Sequence, residues 1–181
     1  MANDVRSRMV EGAALLLAKQ GPQATSFSDV IALTGAPRGS IYHHFPEGKD
    51  QLLDAALDLA GGRASALLDQ WVGLGPADVA ARFLDIWRTI LVRSSYGAGC
   101  AIVAVTVSTD SPVLLDHAAT IFRDWRARLG SLFAAGGLPE PERFATLLVA
   151  AAEGAVVISR AERSMEPFEL VAAELLDRSA V

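Results

Sequence analysis

The chain has 181 residues, 51% of them apolar and 20% charged, long enough to bury a proper core and too apolar for an intrinsically disordered segment. Sixteen Lys and Arg against 21 Asp and Glu leave a net charge of −5, which excludes bulk attraction of the whole molecule to nucleic acid. A single cysteine, Cys100, excludes an internal disulfide framework and a multi-cysteine zinc site, and fits a reducing, cytoplasmic compartment.

The charge is unevenly placed. Residues 1–50 carry five basic residues (Arg6, Arg8, Lys19, Arg38, Lys49) and five acidic ones (Asp4, Glu11, Asp29, Glu47, Asp50), so the −5 belongs to residues 51–181. An anionic partner should therefore meet the N-terminal part, through local geometry. The N-terminus has no uninterrupted apolar segment followed by a small-residue cleavage signal and reads as mature structure. The most apolar run, FATLLVAAAEGAVVIS (144–159), contains Glu153 and is shorter than the ~20 residues of a membrane span. A buried helix is expected there, and no membrane association.

In chain order, residues 5–20 read as an amphipathic helix: Met9 or Val10, Ala13, Leu16 and Leu17 recur at helical spacing, and Gly21-Pro22 stops it. Ser26 with Asp29 three residues on is a capping-box-like start to a short helix with Val30, Ile31 and Leu33 on its apolar side, ended by Gly35. Pro37 suits the first turn of a third helix reaching about Phe45. Helix, tight turn, helix over 26–45 is the layout of a helix-turn-helix. Further helices are expected at 49–72, 76–95, 101–109, 112–135, 140–163 and 167–179. The β-branched run AIVAVTVS (101–108) reads better as a short buried helix than as a strand, because no partner strand is in sight.

On a helical wheel the third helix sends Pro37, Ile41 and Phe45 inward. Gly39 and His43 lie opposite, flanked by Ser40 and Tyr42, with Arg38 and His44 at the borders. Each outward residue either donates a hydrogen bond to a phosphate or base edge or lets a backbone come close. Gly39 costs the helix roughly 1 kcal/mol relative to alanine, a cost that close approach of another surface would explain. Lys49 and the N-terminus of the fourth helix add a phosphate site, and Thr25 and Ser26 another.

The stretch ATSFSDVIALTGAPRGSIYHHFPEGKDQLLDAAL (24–57) closely resembles the N-terminal domain of the TetR/AcrR family of transcriptional regulators. Gly-Ser-Ile-Tyr-His-His-Phe and the following lysine lie where that family has them. The extra glycine in Phe-Pro-Glu-Gly-Lys, Gly-Ala-Gly-Cys at 97–100 and MEPFELVAAELL (165–176) resemble its LmrA/YxaF-like subgroup. Pro37 departs from the serine that many members carry, removing one hydroxyl at the reading helix. The resemblance implies a homodimer with two recognition helices in successive major grooves of an inverted-repeat operator, half-sites roughly 34–36 Å apart. It makes Arg38, Ser40 and His43 candidates for base edges and Thr25, Ser26, Tyr42, His44 and Lys49 candidates for phosphates, with Gly39 permitting the approach.

Two roles fit the second half. Ala151, Gly154, Ala155 and Ile158, and then Phe168, Val171, Ala172 and Leu175, form helical stripes suited either to a dimer interface or to an internal helix pair. Phe83 with Trp87, and Phe122 with Trp125, are aromatic pairs at helical spacing that serve a core or a pocket for a hydrophobic or aromatic small-molecule effector. His117, Asp85 and Glu153 are polar groups that would orient such a ligand, and Cys100 lines it, serves as a redox-sensing thiol or is a small buried residue. No metal-ligand spacing, P-loop or nucleophile elbow is present, so neither a cofactor nor an enzyme is expected. The fold expected is all-α: a helix-turn-helix DNA-binding domain over 1–50 and a larger ligand-binding and dimerisation domain over 51–181. The function expected is a cytoplasmic, ligand-responsive repressor. The rival reading is a helical dimer that binds a hydrophobic small molecule and no specific DNA.

Overall fold

The computed structural model describes residues 2–180. Among them are nine helices and no strand: α1 (Ala2–Gln20), α2 (Phe27–Thr34), α3 (Arg38–His44), α4 (Lys49–Asp69), α5 (Pro76–Arg93), α6 (Ala101–Thr106), α7 (Pro112–Ala135), α8 (Pro141–Glu162) and α9 (Glu166–Ser179). The β-branched run is helix α6, with Ile102 and Val105 buried. α8 alone among the described helices is long and apolar enough to cross a membrane, but half of that apolar window is buried inside the chain, as in a core helix.

The chain forms two compact units. One holds the chain up to Arg63 together with Cys100–Ile121; the other holds Ala64–Gly99 and the chain from Phe122 onward. α4 and α7 each contribute residues to both.

In the first unit, Met9, Ala13 and Leu17 give α1 a fully buried stripe, packed on α2, α3 and α6. Gly12 brings α1 and α2 together: a Cβ there would lie 2.6 Å from Thr34 Cγ2. Ser26 caps α2 with a reciprocal box. Its Oγ accepts from Asp29 N–H at 3.2 Å, and the Asp29 carboxylate accepts from Ser26 N–H at 2.9 Å. Gly35 ends α2 in the left-handed conformation, φ 64°, its N–H donating to Ile31 O at 2.9 Å. That turn aims α3 so that Ile41 and Phe45 are buried.

In the second unit α5, α8 and α9 pack together through Phe83, Leu84 and Trp87, Leu148, Ala152 and Ala155, and Phe168, Ala172 and Leu175, all buried. Ser159, fully buried, accepts the Phe168 N–H at 3.1 Å and fixes the α8–α9 junction. Arg88 of α5 grips Glu169 of α9 through two hydrogen bonds at 2.6 and 2.7 Å. This holds the Glu169 carboxyl below the usual carboxylate range.

Candidate nucleic-acid interface

α3 presents its polar residues outward as the wheel requires, but Pro37, which the wheel sends inward, is the exposed N-cap residue and leaves Ile41 and Phe45 as the inward side chains. Arg38, Gly39, Tyr42 and His43 are exposed, and Ser40, His44 and Lys49 are half-buried. Tyr42 is 68% exposed, far more than a tyrosine used for packing. Space around Gly39 is open: a Cβ there would meet no atom of its own chain within 4 Å. Nothing in the fold therefore needs a glycine at that position. His44 stacks edge-on between His43 and Phe45, at 5.2 and 6.5 Å, and Arg6 of α1 lies over Phe45 at 5.4 Å. The α3 face carries no acidic residue from 37 to 46.

Thr25 is corrected. It is 1% exposed, and its hydroxyl donates to Gly21 O at 2.8 Å, closing the turn after α1. It has no surface to offer a phosphate. Ser26 is exposed, but its hydroxyl is committed to the Asp29 box. The Ser26 side-chain hydrogen bond, then its backbone N–H, hold the Asp29 carboxyl below its usual range. A partner that sequence reasoning missed is Phe27, whose ring meets Tyr42 edge-to-face at 5.5 Å. An aromatic directly after the cap was the available signal.

The remaining candidates divide between the units. Phe83–Trp87 and Phe122–Trp125 are edge-to-face pairs at 6.3 and 5.7 Å in the second unit. Trp87 Nε1 is buried and has no hydrogen-bond partner among the described residues. Cys100 and His117 belong to the first unit. Cys100 is buried at the start of α6. His117 bridges two carboxylates one turn apart on α4, Nδ1 to Asp54 at 2.6 Å and Nε2 to Asp58 at 3.0 Å. Asp85 is paired with Arg88, and Glu153 is buried in α8.

Half of the expected dimer stripe is corrected as well. Ala155, Phe168, Ala172 and Leu175 are at most 2% exposed within the single chain, because α8 and α9 use those positions to pack on each other and on α5. A second copy cannot reach them. Ala151 and Val171 are half-buried, while Gly154 and Ile158 are exposed. The open apolar stripe on α8 runs instead through Leu147, Ala150, Gly154, Val157, Ile158 and Ala161.

A capped short helix, a left-handed glycine turn and a second helix with a non-acidic, hydrogen-bonding outer face constitute a helix-turn-helix DNA-binding protein. Residues 10–56 match the family described as bacterial regulatory proteins, tetR family. Residues 76–174 match the C-terminal domain of LmrA/YxaF-like transcriptional regulators. An uncharacterized HTH-type transcriptional regulator of Mycobacterium tuberculosis is 37% identical, covering 94% of this chain and 91% of that protein. YxaF of Bacillus subtilis is 27% identical over 95% of this chain and 93% of its own. The crystal structure of a TetR transcriptional regulator from Chloroflexus aurantiacus superposes with a TM-score of 0.82 at 29% identity, covering 97% of this chain and 94% of that one. The chain belongs to the TetR family of transcriptional regulators, in its LmrA/YxaF-like branch. Membership disfavours the rival reading without specific DNA binding.

Proposed function

We propose that the protein is a dimeric cytoplasmic repressor that occupies an inverted-repeat operator and leaves it when a hydrophobic small molecule binds. Residues 1–50 read DNA and residues 51–181 carry dimerisation and effector binding. The observation that carries the reading is the α3 face: Arg38, Ser40, Tyr42 and His43 around a glycine with open space above it. Arg38, Ser40 and His43 meet base edges, and Tyr42, His44 and Lys49 meet phosphates. Ser26 contributes through the capped N-terminus of α2.

The apolar α8 stripe centred on Gly154 supports the dimer seam, since small residues let helices approach closely. The buried aromatics Phe83, Trp87 and Trp125, with the half-buried Phe122, support an apolar effector, and the spare Trp87 N–H favours one carrying a hydrogen-bond acceptor. Effector and operator are coupled reciprocally. A ligand that prefers the wrong separation of reading helices lowers operator affinity. α4 suits the relay, because it starts at Lys49 beside α3 and ends at Asp69 in the second unit.

Selection of duplexes from a random library at about 0.15 M salt tests the reading. Wild type is expected to enrich an inverted repeat, and Arg38→Ala to blur it, while Tyr42→Ala weakens all sequences alike. A wild-type protein that enriches no duplex refutes it.

A further inference from the structure

Phe27 is the first residue of α2, directly after the Ser26 cap. It is half-buried, and the single buried residue of α2 is Val30. The ring of Phe27 instead meets Tyr42 of α3 edge-to-face, centroids 5.5 Å apart and planes 80° to one another. Tyr42 stays 68% exposed. The capping box locks the backbone on both sides of Phe27: Ser26 N–H and Asp29 N–H are both engaged. The ring that meets Tyr42 therefore sits on backbone that does not fray with the helix end.

We propose that Phe27 is a positioning residue: it holds the exposed Tyr42 ring in its phosphate-contacting pose before DNA arrives. An exposed tyrosine otherwise gives up rotamer freedom on binding, and a restrained one has less to lose. Edge-to-face pairs of this geometry shift an equilibrium by about two- to tenfold beyond their burial. The inference rests on the reading that the α3 face contacts DNA.

A double-mutant cycle tests it. The probe is the duplex enriched by wild type, and dissociation constants are measured for wild type, Phe27→Leu, Tyr42→Phe and the double variant. Tyr42→Phe keeps the ring pair and removes only the hydroxyl. Phe27→Leu is expected to weaken binding about three- to tenfold in the wild-type background, and by less than about 1.5-fold once the hydroxyl is gone. Phe27→Trp restores binding to within about twofold. The salt dependence stays the same throughout, because a neutral hydroxyl releases no counterion. Phe27→Met repeats the cycle should Phe27→Leu fail to fold. Equal losses in both backgrounds, or no loss in either, overturn the proposal while leaving DNA binding intact. A wild-type protein that binds no duplex takes down the DNA reading itself, and the positioning role with it.

Discussion

Gly39→Ala separates what folding needs from what binding needs. A Cβ at this position meets no atom of the chain within 4 Å, and the residue lies in a helix. Folding should therefore gain from the substitution. Alanine lowers the entropy of the unfolded chain and favours helix by up to about 1 kcal/mol. In a chain of this length that raises the melting temperature by about 2–4 °C. DNA sees the opposite. The methyl carbon stands about 1.5 Å out from the backbone, into the space the groove would fill between the proposed Arg38 and Ser40 contacts. Displacing the helix enough to lose one good hydrogen bond costs about 1.4 kcal/mol, a tenfold drop in affinity. Thermal unfolding and fluorescence anisotropy on the selected duplex measure the two effects on one preparation. A raised melting temperature with unchanged affinity refutes close approach as the reason for the glycine. A lowered melting temperature refutes the claim that folding does not need it.

Gly12→Ala should go the other way. The new Cβ would collide with Thr34 Cγ2 at 2.6 Å, and Thr34 is held by its hydroxyl's hydrogen bond to Val30 O at 2.7 Å. Overpacking of 1–3 kcal/mol less the helix gain leaves a net loss of about 1 kcal/mol. Gly62→Ala, in α4 with open space, should stabilise by a similar amount, so equal shifts in melting temperature for the two would contradict the packing account. Glu169 is held below its usual carboxylate range chiefly by Arg88, so its contribution is present above about pH 4.3 and fades as the pH falls through its lowered value. The pair is partly exposed and worth about 0.5 kcal/mol. Glu169→Gln should therefore melt slightly below wild type at pH 7, with the gap closing towards pH 3. A gap independent of pH would exclude the ion pair as its cause. Ile158→Glu should yield a monomer by light scattering with a folded far-UV spectrum, and a dimer unaffected by it would remove the α8 stripe as the seam.

The reading helix was legible because its signals are local. A cap, a glycine turn, a proline and the inward spacing of Ile41 and Phe45 leave one orientation for α3. Side-chain partners were not legible where competition is short-range. Thr25 has the same hydroxyl as Ser26, but a carbonyl four residues back takes it, and only the turn geometry after Gly21 decides between the two. Leu33, expected on the apolar side of α2, is 49% exposed, and Val30 is the one buried residue of that short helix.

α8 shows why periodicity finds a helix and misses its face. Ala155 and Val156 are buried while their neighbours Gly154, Val157 and Ile158 are exposed. Apolar side chains surround most of the helix, so a stripe at i, i+3, i+4 and i+7 can be drawn on either side. The tie is broken outside the helix. Phe168, Ala172 and Leu175 of α9, and Phe83 and Trp87 of α5, close over one side and take Ala152, Ala155 and Ser159 into the core. What is left is a second apolar stripe that the protomer does not cover itself, running from Leu147 to Ala161. A solvent-facing helix needs no such stripe, since charged residues serve there at no cost to folding. An apolar stripe on both sides of one helix is the pattern expected of a layer between two cores, one within the protomer and, on the proposed reading, one made with a second copy.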